Sequence, residues 1–307
     1  MALGAAGLAF LVAVLGSWVR INDAGLTCPD WPLCRGSVVP ALSGGVVLEW
    51  SHRAGVLLEA FLVLGVLAAG WRVRSAIPYL GRGLAVLAAV FTLQVLLGGA
   101  TVELGNSPVS VVLHWGMAMA LLGTLTVLAT LAFWPATGLR GAARGIGSDA
   151  AAAALASAGG FVFLAMCAGA YVSSSHAGLA CPGFPLCGAG VLGSGEAQFA
   201  QMLHRAAALV VVLAALVAAG IAASSPSPRV RLSAFTACGL VFVQAGLGAA
   251  NVYAGMPTAL RELHAANACL TFLAFVLAAT FATLERAPLR AEAKHSGLRP
   301  ARIAASR

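Results

Sequence analysis

Asp23-Ala-Gly-Leu-Thr-Cys-Pro-Asp-Trp-Pro-Leu-Cys34 returns later in the chain as His176-Ala-Gly-Leu-Ala-Cys-Pro-Gly-Phe-Pro-Leu-Cys187. Around it the same offset of about 150 residues recurs. Trp50-Ser-His-Arg-Ala54 becomes Met202-Leu-His-Arg-Ala206, Gln94-Val-Leu-Leu-Gly-Gly-Ala-Thr-Val102 becomes Gln244-Ala-Gly-Leu-Gly-Ala-Ala-Asn-Val252, and His114 becomes His264. A period of this kind fixes the architecture before any local reading does. It makes the chain two homologous halves, each carrying a pair of histidines at matched positions.

The solvent for most of the chain is lipid. Hydrophobic residues make up 60% of it and charged residues 9%, with a mean hydropathy of +0.93. A soluble domain has roughly a quarter of its residues charged. Eight apolar stretches, near 2–20, 50–70, 83–102, 109–134, 151–173, 199–222, 232–254 and 262–284, approach the ~20 residues that a bilayer crossing needs. Backbone groups in hydrocarbon must be paired within the segment, which helices achieve, and the alternation of a β-barrel is absent. The first stretch lacks the basic start of a signal peptide and matches the fifth, so it counts as a helix.

The expected fold is therefore an all-α integral membrane protein, with eight transmembrane helices forming two pseudo-twofold-related four-helix bundles. Residues 1–134 form the first bundle, 135–149 a cytoplasmic linker, 150–285 the second bundle and 286–307 a disordered basic cytoplasmic tail. An even number of crossings in each half makes the repeat parallel. Arginine-rich turns, such as Arg72 to Arg82 and Arg140 to Arg144, gather on the side of the linker and tail. That side is cytoplasmic, so both termini face inward. The net charge of +8 reflects this topology, and no basic, aromatic-interleaved stripe suggests nucleic acid as a partner.

Of the seven cysteines, Cys28, Cys34, Cys181 and Cys187 lie in outward loops, where thiols can oxidise. Cys28–Cys34 and Cys181–Cys187 are the expected disulfides. A metal site is the alternative, although no histidine completes one in the first loop. Cys167, Cys238 and Cys269 read as small core residues.

Ionisable side chains inside a bilayer mark function. His52, His114, His204 and His264 each lie near the outward end of the second or fourth crossing of a half. Neutral imidazole is the commonest metal ligand, and a pair facing across a four-helix bundle suits the two axial positions of a haem iron. Structural hydrogen bonding is the plainer reading of each alone. Zinc or copper lacks the carboxylates and thiols to complete a site in both halves. Arg53 and Arg205, directly after His52 and His204, suit either haem propionates or lipid headgroups. Gly98-Gly99-Ala100 and Gly248-Ala249-Ala250 leave either a slot for a planar ligand or a close helix contact.

The halves differ at Glu49, three residues before His52 and so on its face of the helix; the second half has Gln201. A carboxylate there serves as a base or stabilises a developing cation, which glutamine cannot do by proton transfer. It also suits the start of a helix dipole. Glu59, two turns deeper and replaced by Val211 in the repeat, reads as a proton relay or, in preference, as a neutral acid hydrogen-bonded inside the bundle.

Taken together, Glu49-Trp-Ser-His52-Arg53, His114, Leu203-His204-Arg205, His264, the two Cys-Pro loops and the duplication of four helices resemble the haem A synthase family of cytochrome oxidase assembly factors. The resemblance spans residues 1 to about 285. It implies an inner-membrane oxidoreductase of the bacterial cell membrane that oxidises a methyl group of haem O to the formyl group of haem A. It also implies a b-type haem as prosthetic group. His204 and His264 would be the axial ligands of that haem, and His52 and His114 would hold the substrate haem. Glu49 would be the essential acid of the reactive half, and the outer-loop cysteines the family's two pairs. Haem O is the implied substrate, with haem O synthase and other oxidase assembly proteins as candidate partners and oligomerisation left open. The family's short cytoplasmic leader before the first helix is not evident here. The rival reading from another class is a di-haem cytochrome b carrying electrons from quinol, and a transporter or haem chaperone is more distant.

Overall fold

A computed structural model describes residues 1–134, 150–188 and 193–285. The expected linker, 135–149, and the expected tail, 286–307, lie outside the described residues. Eight long helices follow one another: α1 (Ala2–Ile21), α2 (Gly45–Val73), α3 (Leu80–Glu103), α4 (Pro108–Phe133), α5 (Ala150–Ser174), α6 (Glu196–Ala223), α7 (Pro228–Tyr253) and α8 (Thr258–Leu284). All eight are long and apolar enough to cross a membrane. The chain is all-helical in its described regular structure, apart from an isolated bridge between Cys34 and Ser37. It is a multi-pass membrane protein.

The helices run through many valines because hydrocarbon leaves the backbone no partner except itself. Their ends follow ordinary stop and start chemistry. Pro108 and Pro228 open the first turns of α4 and α7, where a missing N–H costs nothing. At α7 the Ser227 hydroxyl accepts a hydrogen bond from the Val230 amide at 3.2 Å. The turns after α3 and α7 are alike, each passing through a left-handed glycine, Gly105 (φ 62°) and Gly255 (φ 72°), the usual way to end a helix.

Within the first half α1 packs on α2 and α4, and α3 packs on α4 and α2. The second half repeats these pairings with α5, α6, α7 and α8. In each ring the two histidine-bearing helices, α2 with α4 and α6 with α8, stand diagonally opposite. The halves meet through α4–α5, α4–α8 and α1–α8. Small residues let the backbones approach there, as packing in lipid requires: a Cβ on Gly123 of α4 would lie 3.3 Å from the Phe272 ring of α8. At the seam's end nearest the Cys-Pro loops, Arg20 donates to the Ser173 hydroxyl at 3.4 Å, across a sequence separation of 153. These two residues occupy the same place in the repeat.

Every pairing within the first half is sparser than its counterpart in the second, most of all that of α2 with α3. α2 and α3 meet more sparsely than α6 and α7 do, and an apolar groove of about 640 Å³ opens between α2 and α3 toward the ends that carry Trp71 and Gly81.

Candidate functional site

Each of the four histidines is seated on a glycine of the neighbouring helix. A Cβ on Gly16 of α1 would lie 2.9 Å from Cε1 of His52, and one on Gly169 of α5 would lie 2.9 Å from Cε1 of His204. On the other diagonal the distances are 3.2 Å from Gly98 of α3 to His114 and 3.2 Å from Gly248 of α7 to His264. The matched spacing of the repeat thus reappears as a shared device: a glycine lets Cε1 of the imidazole come close to the next helix. At Gly98 and Gly248 the close approach is to a histidine ring.

The ring nitrogens are not equivalent. Nδ1 of His204 lies 3.1 Å from the Ala165 carbonyl, one turn before Gly169. Nδ1 of His52, His114 and His264 is buried without a partner in hydrogen-bond geometry, although each sits beside the matching carbonyl, of Val12, Gln94 and Gln244 respectively. The four histidines are only half-buried as residues, and Nε2 is not among their buried, unpartnered nitrogens. A carbonyl facing Nδ1 favours the tautomer whose Nε2 lone pair is free, the arrangement that orients metal-bound histidines. In the second half the rings of His204 and His264 are neighbours, edge to face, with centroids 6.5 Å apart and planes at 79°. His52 and His114 are electrostatic neighbours. Among the described residues, no three His, Cys, Asp or Glu side chains converge as a compact metal site.

Above the histidines, each half closes with a short loop locked by a disulfide, Cys28–Cys34 and Cys181–Cys187. Arginines one residue past the second-crossing histidines grip these loops. Arg53 donates to the carbonyls of Cys28 (2.8 Å), Asp30 (2.6 Å) and Leu33, and Arg205 donates to those of Cys181 (3.2 Å), Gly183 (2.7 Å), Pro185 (3.0 Å) and Leu186 (3.2 Å). Both guanidinium groups are therefore largely engaged by the protein's own backbone.

Glu49 belongs to the same clamp. Its Oε2 accepts from the Cys28 amide at 2.8 Å and the Thr27 hydroxyl at 3.0 Å, and its Oε1 pairs with Arg53 at 2.6 Å. Because α2 begins at Gly45, no acidic residue falls in its first turn, and a helix-dipole role fades beyond that turn. Gln201 repeats the clamp in neutral form: Oε1 accepts from the Cys181 amide at 3.1 Å and Nε2 donates to the Gly178 carbonyl at 2.7 Å. Glu49 is buried and Arg53 partly so, and deleting one partner of such a pair leaves the other charge under-compensated. In the loop itself, the amides of Gly36 and Arg35 donate to Asp30 at 2.8 and 2.5 Å, and chiefly the Gly36 bond holds that carboxyl below the ordinary aspartate range. On the other side, Trp31 lies across Gly99 of α3, where a Cβ would be 3.1 Å from the indole. The first loop thus bridges α2 and α3 over the sparse side of its bundle.

A family model described as cytochrome oxidase assembly protein (COX15-CtaA) matches residues 1–45 and 43–276. The chain belongs to the COX15-CtaA family. It is similar to proteins named heme A synthase in several bacteria. The one from Bacillus licheniformis is 32% identical over 217 residues, covering 69% of this chain and 71% of that relative. The one from Shouchella clausii is 33% identical over 212 residues, covering 67% and 70%. A third, from Symbiobacterium thermophilum, is 31% identical over 218 residues, covering 66% and 69%.

In this member of the COX15-CtaA family, several site features carry no motif in the sequence. The Gly16 and Gly169 seats lie outside the repeated motifs quoted above. Glu59, expected to hydrogen-bond inside the bundle, instead has both oxygens buried with no partner. Glu262, two residues before His264 and beside Ser17 of α1, likewise keeps both oxygens buried without a partner in hydrogen-bond geometry. Asn267, one turn below His264, donates to the Gln244 side chain at 2.8 Å and ties α8 to α7 at the level of the histidine pair.

Proposed function

We propose that the protein is a haem A synthase, a membrane oxidoreductase that converts haem O to haem A in the bacterial cell membrane, with both termini cytoplasmic. In this reading, residues 1–134 form the reactive bundle and residues 150–285 the bundle that keeps a haem b, the two related by a pseudo-twofold axis along the membrane normal. The observation that carries it is the histidine pair on diagonal helices of each half, each ring backed by a glycine and each residue only half-buried.

The second-half pair fits a haem iron by its spacing. The ring centroids, 6.5 Å apart, leave room for one metal ion between two imidazoles with metal–nitrogen bonds of about 2 Å. No Cys-x-x-Cys-His run occurs in the chain, so such a haem is held without covalent attachment, as b-type haem is. His204 and His264 would hold it, and it would supply electron relay away from the reacting bundle. Close packing of α6 on α7 suits a permanent occupant. The sparser α2–α3 contact suits a substrate that enters from lipid and leaves, with His52 and His114 orienting its iron.

Oxidising a methyl to a formyl group takes up water and releases electrons and protons, and positive charge develops at the reacting carbon. Glu49 lies one turn from His52, and its carboxylate, held by the Cys28 amide and paired with Arg53, would keep a fixed negative group at that end of the site. Since its oxygens already accept three hydrogen bonds, stabilising that charge suits it better than taking a proton. Preorganised charge of this sort contributes several kcal/mol in a dry site. Arg53 and Arg205, with most of their donors on loop carbonyls, retain Nε for a propionate. The disulfide loops would cap the outer ends of both sites and exclude water.

Cells that make haem O but no haem A test this directly. Expression of the chain should yield haem A in chromatograms of extracted haems. Haem O left unchanged would favour the di-haem carrier, the reading favoured by the matching Glu49 and Gln201 clamps. The glycine seats give a graded check. Gly169→Ala brings a Cβ to 2.9 Å of the His204 ring and Gly248→Ala to 3.2 Å of His264. The first must displace its imidazole, and the second needs only a few tenths of an ångström. Haem b retained per protein, read from the Soret band, should fall at least twofold in Gly169→Ala and less in Gly248→Ala. Full retention in both would remove the seats from the ligation account.

A further inference from the structure

We infer that Glu59 determines substrate specificity in the first bundle by hydrogen-bonding the hydroxyl group that haem O carries on its isoprenoid substituent and haem B lacks. This rests on the haem A synthase reading above.

Glu59 is 3% exposed, and neither carboxyl oxygen has a partner. Its counterpart in the other half is Val211, 7% exposed and wholly apolar. A buried polar group without a partner costs several kcal/mol in hydrocarbon, so buried polar groups are nearly always satisfied, by the protein, by water or by a ligand. At this repeat position the orphan occurs only in the half assigned to the substrate, and the other half is content with valine.

The place of Glu59 matches one edge of the ligand. It follows His52 by seven residues, two turns on the same helical face, which is about 10 Å along the axis. Its side chain leans back toward the helix N-terminus, hence toward His52. With the propionates at the outer end beside Arg53, the porphyrin edge that bears the hydroxyalkyl group points inward, to the level of Glu59. A carboxyl and a hydroxyl satisfy each other whichever donates. Beyond Glu59, the groove of about 640 Å³ between α2 and α3 begins at Leu64 and runs past Leu67, Trp71, Leu84 and Ala88. An isoprenoid chain leaving the hydroxyl-bearing carbon would continue into it. The equivalent helices of the other half, α6 and α7, are packed more closely.

The test adds haem O or haem B to full-length protein whose second site is already filled, and follows uptake of a second equivalent by absorption. Wild type should bind haem O more tightly than haem B. Glu59→Val, which copies the second half, should weaken haem O about tenfold, the worth of one buried hydrogen bond, and leave haem B within about twofold. Glu59→Gln, still able to hydrogen-bond, should restore most of the preference. A haem O affinity that Glu59→Val leaves unchanged, or equal losses for both haems, overturns the inference and leaves the haem A synthase reading intact. Failure of wild type to take up haem O at all sinks both.

Discussion

Glu49→Gln is expected to fold, keep its second-half haem and retain its first loop, yet make haem A at least about a hundredfold more slowly. The repeat supplies the control for this variant. Gln201 already accepts a hydrogen bond from the Cys181 amide and donates to Gly178, so glutamine is a working clamp in this very fold. What the substitution removes is charge, together with the ion pair to Arg53 at 2.6 Å. Removing one preorganised electrostatic stabiliser typically lowers turnover by about 10²–10³. The decisive comparison is initial rate of haem A formation against reactivity of the Cys28–Cys34 disulfide toward a reductant. Loss of rate with an unchanged disulfide assigns Glu49 to the chemistry. A normal rate would make Glu49 a loop clamp only, and so would a rate that falls in step with loop loosening.

The second large effect concerns cofactor retention. His204→Ala and His264→Ala should each lose most of the second-half Soret absorbance, because the proposed haem would then keep only one of the two imidazoles, 6.5 Å apart, that would hold it. His52→Ala and His114→Ala should keep that absorbance while abolishing uptake of a second haem. Absorption spectra of the four purified variants, normalised to protein, separate the two bundles. An intact Soret band in both His204→Ala and His264→Ala would refute the assignment of the resident haem.

The eight crossings were legible because hydrocarbon demands length and apolarity above all else, and both survive in raw sequence. The disulfides were legible from loop position and the paired Cys-Pro motifs, and both bonds are present. Facing directions were much harder. In these helices lipid-facing and core-facing positions are equally apolar, so the stripe that reveals the buried side of a soluble helix is missing. Glu49 illustrates the consequence. Its spacing of three from His52 suggests a shared face, but its spacing of four from Arg53 is the stronger tie, and the pair turns to the loop amides. The glycine seats were hidden for a related reason: a glycine in a lipid-embedded helix reads as close packing whatever it packs against. The looser α2–α3 contact has no local signature, because both halves carry similar leucines and valines along those helices.

In the proposed function two similar bundles divide the labour, one retaining its haem and the other converting one. The most direct measurement loads purified full-length protein with haem O under oxidising conditions and then extracts and separates all haems. The account predicts one haem B per chain, unchanged, and haem O consumed with matching appearance of haem A. Recovery of both haems unaltered after prolonged incubation with a competent electron acceptor would contradict it.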